Sequence, residues 1–494
     1  MTLAPQWRTR FFAVGAAAIA IWLGIAIAQE DFFWPSITAG VLLLFLLARC
    51  QPLPLGTLLL GGAIIGYIVG NRGFAQVTLM SSFPLLPAET VLLLGGGILL
   101  AQSAWRHELP FRRGPLNVIL LTWIAVGTIR VGFDFREFGF VALRDFAVVY
   151  YAAFFYLAEE AARDARAGRF LQNVVLASSV VLLGVYCIYD NIPEFFLNHF
   201  TFRGMPLIFY KGDLVGTFLA VGSVLFFLRF EEKKRWWNLV LSLALAGAVL
   251  ATDNRASLLG LGAATAWLAI GGRWKFAAVQ AAAGVGAATT ILLFATAMNI
   301  PWDRTPLFGV YEMAVSIADP SGSQHYRGSE TFNKGDNNLF RTVWWQAVID
   351  ETIEGNPYVG LGFGHDLADR FVREYYPENS EEFSTRSPHN VLVTIFARMG
   401  AAGLAVFLAA MAVIAVRTWR AVRAGPREAA PWCAVWVMFM SACFGVVLEG
   451  PMGAVVFWTM LGVAYASSTA PKDSPSPEVL ATPAATNEEA VTIS

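Results

Sequence analysis

Three residues of the sequence combine side chains that could act together on an anionic substrate: Arg255, Arg341 and His389. Each lies at or near a boundary between an apolar and a polar stretch of the chain. Arginine presents paired N–H donors that fit phosphate oxygens, and a neutral imidazole can accept a proton near pH 7. The combination indicates chemistry on a lipid-linked anionic substrate at one face of a membrane.

His389 follows Ser387 and Pro388 at the point where a long polar segment ends. Pro388 disfavours helix at Ser387 and fits the first turn of the next helix, so we expect His389 close to a helix N-terminus. The positive end of the helix dipole and nearby arginines would disfavour the imidazolium form. His389 is therefore a candidate general base, with a structural histidine as the alternative.

Arg255 follows Asp253 and Asn254 in a short polar break between two apolar stretches. It is either an anion-binding group at a half-desolvated boundary or a snorkelling arginine. Arg341 is expected near the start of an interfacial helix capped by Asn338, where backbone N–H groups would join it in binding phosphate oxygens. The alternative for Arg341 is a contact with solvent or with lipid headgroups.

Arg203 and Lys211 precede the apolar stretch that starts near residue 212, and they would either widen the anionic site or meet lipid headgroups. Arg398 lies inside a predicted membrane helix and needs a partner or a water-filled cavity. The Gly360-x-Gly362-x-Gly364 pattern lacks the strand and lysine of a nucleotide motif and predicts a backbone bend. No Cys/His cluster has zinc spacing, so the sequence indicates no metal site, and no motif in it indicates a cofactor.

The composition sets the fold class. Hydrophobic residues make up 56% of the chain, charged residues only 14%, and the mean hydropathy is +0.55, which excludes a soluble globular protein. We expect an all-α polytopic membrane protein with about 12–14 transmembrane helices and a long loop containing short amphipathic helices. The predicted spans are 11–28, 33–49, 55–70, 87–104, 115–129, 145–159, 170–189, 212–229, 237–252, 256–272, 275–298, 389–416, 431–448 and 452–468.

These spans divide the chain into N-terminal membrane helices in 1–298, a polar loop in 299–388, C-terminal membrane helices in 389–468 and a disordered tail in 469–494. The first apolar stretch imitates a signal peptide, but at about 18 residues it is long for one, which favours a retained span.

Orientation follows from the short loops. If the N-terminus is cytoplasmic, the loops on that side hold most of the lysines and arginines, so the long loop is periplasmic and both termini are cytoplasmic. Two stretches of the loop, Leu339–Ile353 and His365–Tyr376, have apolar residues at helical spacing. We expect two helices there that cap the bundle or lie on the membrane surface.

Three motifs in this order resemble the O-antigen ligase/O-antigen polymerase superfamily of bacterial envelope glycosyltransferases. They fall within about residues 203–410, and Arg398 departs from the polar or acidic residue expected before Gly400. The motifs are DNRASLL at 253–259, RTVWW at 341–345 with PYVGLGFG at 357–364, and His389-Asn390 with MGAAGL at 399–404.

The resemblance implies inverting, metal-independent transfer of a glycan at the periplasmic side of the bacterial inner membrane. Arg255 and Arg341 would hold the pyrophosphate of an undecaprenyl-pyrophosphate-linked donor, and His389 would take the acceptor's proton. The acceptor is lipid A–core in a ligase and a growing glycan in a polymerase, and the sequence leaves both open. A polysaccharide or lipid transporter is the alternative from another class. The lipid bilayer is an expected partner; nucleic acid is not.

Overall fold

The computed structural model describes residues 17, 20–29, 33–48, 53–78, 85–324, 326, 334–375 and 386–469. Part of the first predicted span and nearly all of the predicted tail lie outside these residues. The helices are α1 Phe33–Ala48, α2 Leu55–Ile65, α3 Arg72–Ala75, α4 Pro87–Arg106, α5 Pro115–Phe138, α6 Phe140–Asp145, α7 Ala147–Tyr150, α8 Ala153–Ala161, α9 Ala165–Tyr189, α10 Pro193–His199, α11 Gly212–Lys233, α12 Trp236–Ala251, α13 Arg255–Ile270, α14 Lys275–Ala297, α15 Pro306–Ala318, α16 Lys334–Gly355, α17 Asp369–Tyr375, α18 Val391–Ala424, α19 Pro426–Ala442 and α20 Pro451–Thr469.

The chain is an all-α polytopic membrane protein, as expected. Eight helical segments of the described chain are long and apolar enough to cross a membrane, namely α4, α5, α6 to α8, α9, α11, α14, α18 and α20. The described chain also has four apolar helical stretches that are shorter than these eight, among them α12, α13 and α15. Among the described residues the only sheet is a hairpin of two short strands, β1 Thr201–Phe202 and β2 Met205–Pro206.

Proline sets where many of these helices begin. Residues Pro87, Pro115, Pro306 and Pro426 each stand in the first turn of a helix, where the missing N–H costs nothing and the ring angle is already helical. α11 and α20 are buried along almost their whole length and form the centre of the bundle, whereas α14 lies at its periphery.

The polar loop contains both helices that its periodicity predicted. They are α16 and α17, and the apolar side of each packs against the other and against α18. Trp344 stacks on Phe371 with 5.5 Å between ring centroids, and Val393 and Ala397 of α18 complete the same cluster. Apolar burial therefore fastens the two helices over the start of α18.

Residues 357–364, the glycine segment, insert into a break in α18. Gly400 has φ +63° and interrupts the helix. The amides of Ala401 and Ala402 donate to the carbonyls of Pro357 (2.8 Å) and Tyr358 (3.1 Å), while the Ala397 carbonyl accepts from Leu361 (2.6 Å). The backbone groups that the break would leave unpaired are thus satisfied by the glycine segment. This confirms a backbone bend that packs closely.

Three local predictions were wrong. α16 begins at Lys334, so Asn338 lies inside the helix and does not cap it. α18 begins at Val391 and is capped by the Asn390 side chain, so Pro388 precedes the helix. The predicted span 431–448 is helical only as far as Ala442. Residues 443–450 form a linker to α20, in which the Phe444 carbonyl binds Arg341 and the Glu449 carboxylate binds Thr394. The second error comes from a local cap, the Asn390 side chain, which takes precedence over Pro388 in setting the start of α18.

Candidate functional site

His389 is held just outside the N-terminus of α18. The Asn390 side chain accepts from the amides of Leu392 (3.0 Å) and Val393 (3.3 Å), which is an ordinary helix cap and explains the asparagine after the histidine. His389 itself has φ +57°, a left-handed conformation that costs free energy for a residue with a side chain. Its neighbours must therefore enforce the position.

Two contacts enforce the conformation of His389. The His389 amide donates to the Ser387 hydroxyl at 3.1 Å, and the Trp345 indole N–H donates to the Pro388 carbonyl at 2.6 Å. The imidazole also lies beside Trp344, with 6.2 Å between ring centroids. α16 therefore contacts the short segment that contains His389.

The environment of His389 favours the neutral imidazole. Burial lowers its pKa from 6.5 to about 4, and the positive charges of Lys211 and Arg341 act in the same direction. The expectation of a neutral imidazole agrees with this. At pH 7 the ring can accept a proton, although its basicity is lower than that of a free histidine.

Arg255 is the first residue of α13. Asn254 caps this helix by accepting from the Ser257 amide at 2.9 Å, and Asp253 makes the tight turn with φ +50°. The Ser257 hydroxyl also donates to the Asp213 carbonyl at 3.3 Å, which joins the starts of α13 and α11. Arg255 donates to the side chain of Asn338 on α16. The half-buried guanidinium is thus fixed between two helices.

Arg341 lies about two turns inside α16. The expectation that Arg341 lies near the start of this helix is therefore wrong, and the expected contribution of helix N-terminal amides to anion binding loses its basis. Its guanidinium donates to the Phe444 carbonyl in the α19–α20 linker at 2.8 Å. Burial lowers the pKa of Arg341, and the positive charge of Arg255 lowers it further, so the two guanidinium groups interact electrostatically.

The two further basic residues, Lys211 and Arg203, have different surroundings in the structure. Lys211 precedes α11, lies 3.8 Å from the Asp213 carboxylate and influences His389 electrostatically, so it belongs to the same cluster. Arg203 sits at the exposed turn of the hairpin, with its guanidinium 5.2 Å from the ring centroid of Phe202. None of its described contacts joins it to the cluster.

Glu449, in the α19–α20 linker, was not predicted from the sequence. Its carboxylate accepts from the Thr394 hydroxyl of α18 at 2.8 Å and is also hydrogen-bonded to Ser387. The Ser387 hydroxyl in turn accepts from the backbone amide of His389. Burial raises the pKa of Glu449, against the influence of those hydrogen bonds and of Lys211. A lone carboxylate between two apolar spans, directly before Gly450-Pro451, is the signal that could have found it.

Arg398 is buried and paired; its described contacts do not include Arg255, Arg341 or His389, but its positive charge acts on Glu449. Its guanidinium lies 2.8 Å from the Asp145 carboxylate at the end of α6. It also donates to the carbonyls of Gly362 (3.0 Å) and His365 (2.5 Å). The side chain is 3% exposed, so this pairing is what makes a charge tolerable there.

The cluster brings together three kinds of group. Arg255, Arg341 and Lys211 supply positive charge, His389 supplies a neutral base, and Glu449 supplies a half-buried carboxylate linked to His389 through Ser387. Arg255, Lys211, His389 and Glu449 come from helix ends or linkers, whereas Arg341 comes from the first half of α16. The arrangement can bind an anionic group and remove a proton from a nearby hydroxyl.

The model of a family described as O-antigen ligase matches residues 239–408 of the chain. The matched range contains Arg255, Arg341 and His389, whereas Lys211 and Glu449 lie outside it. Over this range the resemblance to the O-antigen ligase superfamily is confirmed, and members of that family are glycosyltransferase-like membrane enzymes. No curated protein matches the chain.

Proposed function

We propose that the protein is an O-antigen ligase-like glycosyltransferase of the bacterial inner membrane, with its N- and C-termini in the cytoplasm. It transfers a polysaccharide from undecaprenyl pyrophosphate to lipid A–core at the periplasmic face, with inversion at the anomeric carbon and without a metal ion. The observation that carries the proposal is that Lys211 and Arg341 act electrostatically on a half-buried His389, lowering its pKa to about 4, while Arg255 acts on Arg341.

In the proposed reaction an acceptor hydroxyl oxygen attacks the anomeric carbon of the donor glycan. The bond from that carbon to the pyrophosphate oxygen breaks, and the pyrophosphate leaves with the bonding electrons on the lipid. The hydroxyl proton passes to His389. Arg255 and Arg341 offset the charge that develops on the leaving group, which is where prepositioned positive charge contributes most to catalysis.

The histidine is suited to this step because it is neutral before the reaction. Proton transfer to His389 creates an imidazolium beside a leaving group that is gaining negative charge, so the two charges stabilise each other. Lys211, 3.8 Å from Asp213, adds a further positive charge to the region. The Glu449–Ser387 contact holds the segment that presents the imidazole.

The transporter alternative rested on Arg398 as a charge inside a membrane helix. Its contacts with Asp145, Gly362 and His365 account for that charge by internal pairing. A polymerase of the same superfamily would use the same donor site and differ in its acceptor. A transfer assay that identifies the acceptor is therefore needed to distinguish a ligase from a polymerase.

The test is transfer by purified protein, with an undecaprenyl-pyrophosphate-linked glycan as donor and lipid A–core as acceptor. We expect glycosylated core with the wild type and a loss of about 10²–10⁴-fold in rate with His389→Ala, because a positioned base contributes that much. Activity should persist in EDTA. His365→Ala is the matched control, since His365 pairs with Glu351 at 2.8 Å outside the cluster.

Elongation of the lipid-linked donor, without transfer to core, would replace the ligase with the polymerase. A His389→Ala protein that keeps wild-type activity would remove the base from the mechanism. If neither product forms from a folded wild-type protein, the glycosyltransferase proposal is wrong and transport of the lipid-linked glycan becomes the hypothesis to test.

A further inference from the structure

Asn338 connects three elements of the site through one amide group. Its side-chain oxygen accepts from the Arg255 guanidinium. Its side-chain nitrogen donates to the Ser316 carbonyl at 2.7 Å and to the Asp319 carbonyl at 2.6 Å, at the end of α15. The start of α13, the end of α15 and the first half of α16 therefore meet at this residue.

The contacts allow only one orientation of the amide. The NH₂ group of asparagine has two hydrogens, and each is used by a backbone carbonyl. A flipped amide would place its oxygen against both carbonyls and its NH₂ against a guanidinium, so every one of the three contacts would become repulsive. The oxygen of Asn338 must consequently face Arg255.

The Ser316 carbonyl belongs to α15, and the Asp319 carbonyl belongs to a turn that the Asp319 side chain holds closed. The Asp319 carboxylate accepts from the amides of Ser323 (3.0 Å) and Gln324 (2.8 Å) and from the Tyr326 hydroxyl (2.9 Å). These bonds lower the pKa of Asp319, so the carboxylate stays ionised and the turn stays closed. Asn338 thus rests on a turn with defined geometry.

Asn338 and Arg341 are three residues apart on α16 and so occupy neighbouring positions on one face of the helix. One face therefore carries Arg341 and the residue that directs Arg255. Because Arg341 is also fixed by the Phe444 carbonyl, the separation of the two guanidinium groups is determined by a rigid element.

We propose that Asn338 is a positioning residue that directs Arg255, and that α16 thereby sets the spacing of two arginines for the two phosphates of the donor. The inference rests on the proposed function, because it takes a lipid-linked diphosphate as the ligand of Arg255 and Arg341. It adds a residue whose effect on the ligand passes through Arg255.

The test measures binding of undecaprenyl pyrophosphate, and separately undecaprenyl phosphate, to the full-length protein in detergent. The proteins are the wild type, Asn338→Ala, Arg255→Ala and the double variant, which together form a double-mutant cycle. We expect Asn338→Ala to weaken diphosphate binding about tenfold and monophosphate binding much less. In the Arg255→Ala background the same change should have no further effect, because Asn338 acts on the ligand only through the Arg255 side chain, which this background lacks.

Gln346→Ala is the matched control, since Gln346 is an exposed amide on the same helix that contacts only Asp350 in the hydrogen bonds described. It should bind as the wild type does. If Asn338→Ala does not fold, as judged by size-exclusion chromatography, Asn338→Gln replaces it in the same cycle, because it keeps an uncharged amide and displaces it by one methylene from its three partners.

The outcomes separate the inference from the proposed function. Equal effects of the Asn338 change in both backgrounds, or no effect in either, would overturn the positioning role while leaving the donor site intact. If Arg255→Ala itself binds the diphosphate like the wild type, the donor site of the proposed function fails, whatever Asn338 does.

Discussion

Arg398 of α18 and Asp145 of α6 form a buried ion pair with 2.8 Å between guanidinium and carboxylate. The same carboxylate accepts from the Gly364 amide at 3.1 Å, and the same guanidinium donates to the Gly362 carbonyl at 3.0 Å. The pair therefore clamps the glycine segment between two helices. Since α18 begins beside His389 and the glycine segment follows α16, the clamp also joins the helix of Arg341 to the segment of His389.

Breaking this pair should destabilise the folded protein. Arg398→Met leaves Asp145 with only the Gly364 amide (3.1 Å) and the more distant Arg386 (3.7 Å), and loss of one member of a buried pair costs up to about 3–5 kcal/mol. The measurement is the midpoint of thermal unfolding in detergent. Arg373→Met is the control, because the Arg373–Asp369 pair is 2.6 Å long but largely exposed, and exposed pairs contribute little. Equal midpoints for both variants would show that the clamp is not structural.

Gly360→Ala should disrupt the junction between the glycine segment and the break in α18. Gly360 has φ +75°, and an added Cβ would lie 2.6 Å from the Ala397 carbonyl oxygen, so both strain and steric overlap oppose the change. We expect a lower unfolding midpoint and loss of transfer activity. Gly284→Ala, with nothing within 4 Å of its added Cβ, should leave both unchanged. A fully active Gly360→Ala protein would contradict the junction.

The pH dependence of transfer should reflect the low pKa of His389. Because the folded free protein holds this pKa near 4, below the ordinary 6.5, the base stays neutral as the pH falls through 6.5. The acid limb of kcat/KM should therefore lie well below pH 6. A bound anionic donor would raise the pKa, so the acid limb of kcat should lie at higher pH than that of kcat/KM.

Lys211→Gln provides the check on this assignment. Removing one of the positive charges that lower the pKa of His389 should move the acid limb of kcat/KM to higher pH. Arg203→Gln is the control, because Arg203 lies at the exposed hairpin turn. An acid limb that stays in place with Lys211→Gln would mean that His389 is not the group observed.

Glu449→Gln should lower kcat more than it changes the KM for the donor. The carboxylate organises Ser387 and Thr394 around His389, and it is not among the groups proposed to hold the pyrophosphate. We expect a loss of about tenfold in kcat, comparable to the loss of one charged hydrogen-bond acceptor. Steady-state kinetics with varied donor concentration measures both constants. Glu354→Gln, a surface carboxylate paired with Arg370, is the control. A change confined to the donor KM would place Glu449 in donor binding instead.

The sequence by itself determined the membrane class, most helices and the candidate residues. Apolar stretches of sufficient length must be helical in lipid, because every backbone group there needs a partner within the segment. The helical spacing of apolar residues likewise predicted α16 and α17, and the residue types at the membrane boundaries pointed to Arg255, Arg341, Lys211 and His389. These features are local, so they can be read along the chain.

Only the tertiary structure decided how the residues are held and which of them meet. Asn338 reads locally as a helix cap, yet it binds Arg255 and two carbonyls of another segment. Arg398 reads as an unexplained charge, yet it pairs with Asp145, and Arg203 reads like Lys211 but lies apart from it. Such contacts join residues far apart in the chain, and their energy depends on geometry and burial that arise only when the helices pack.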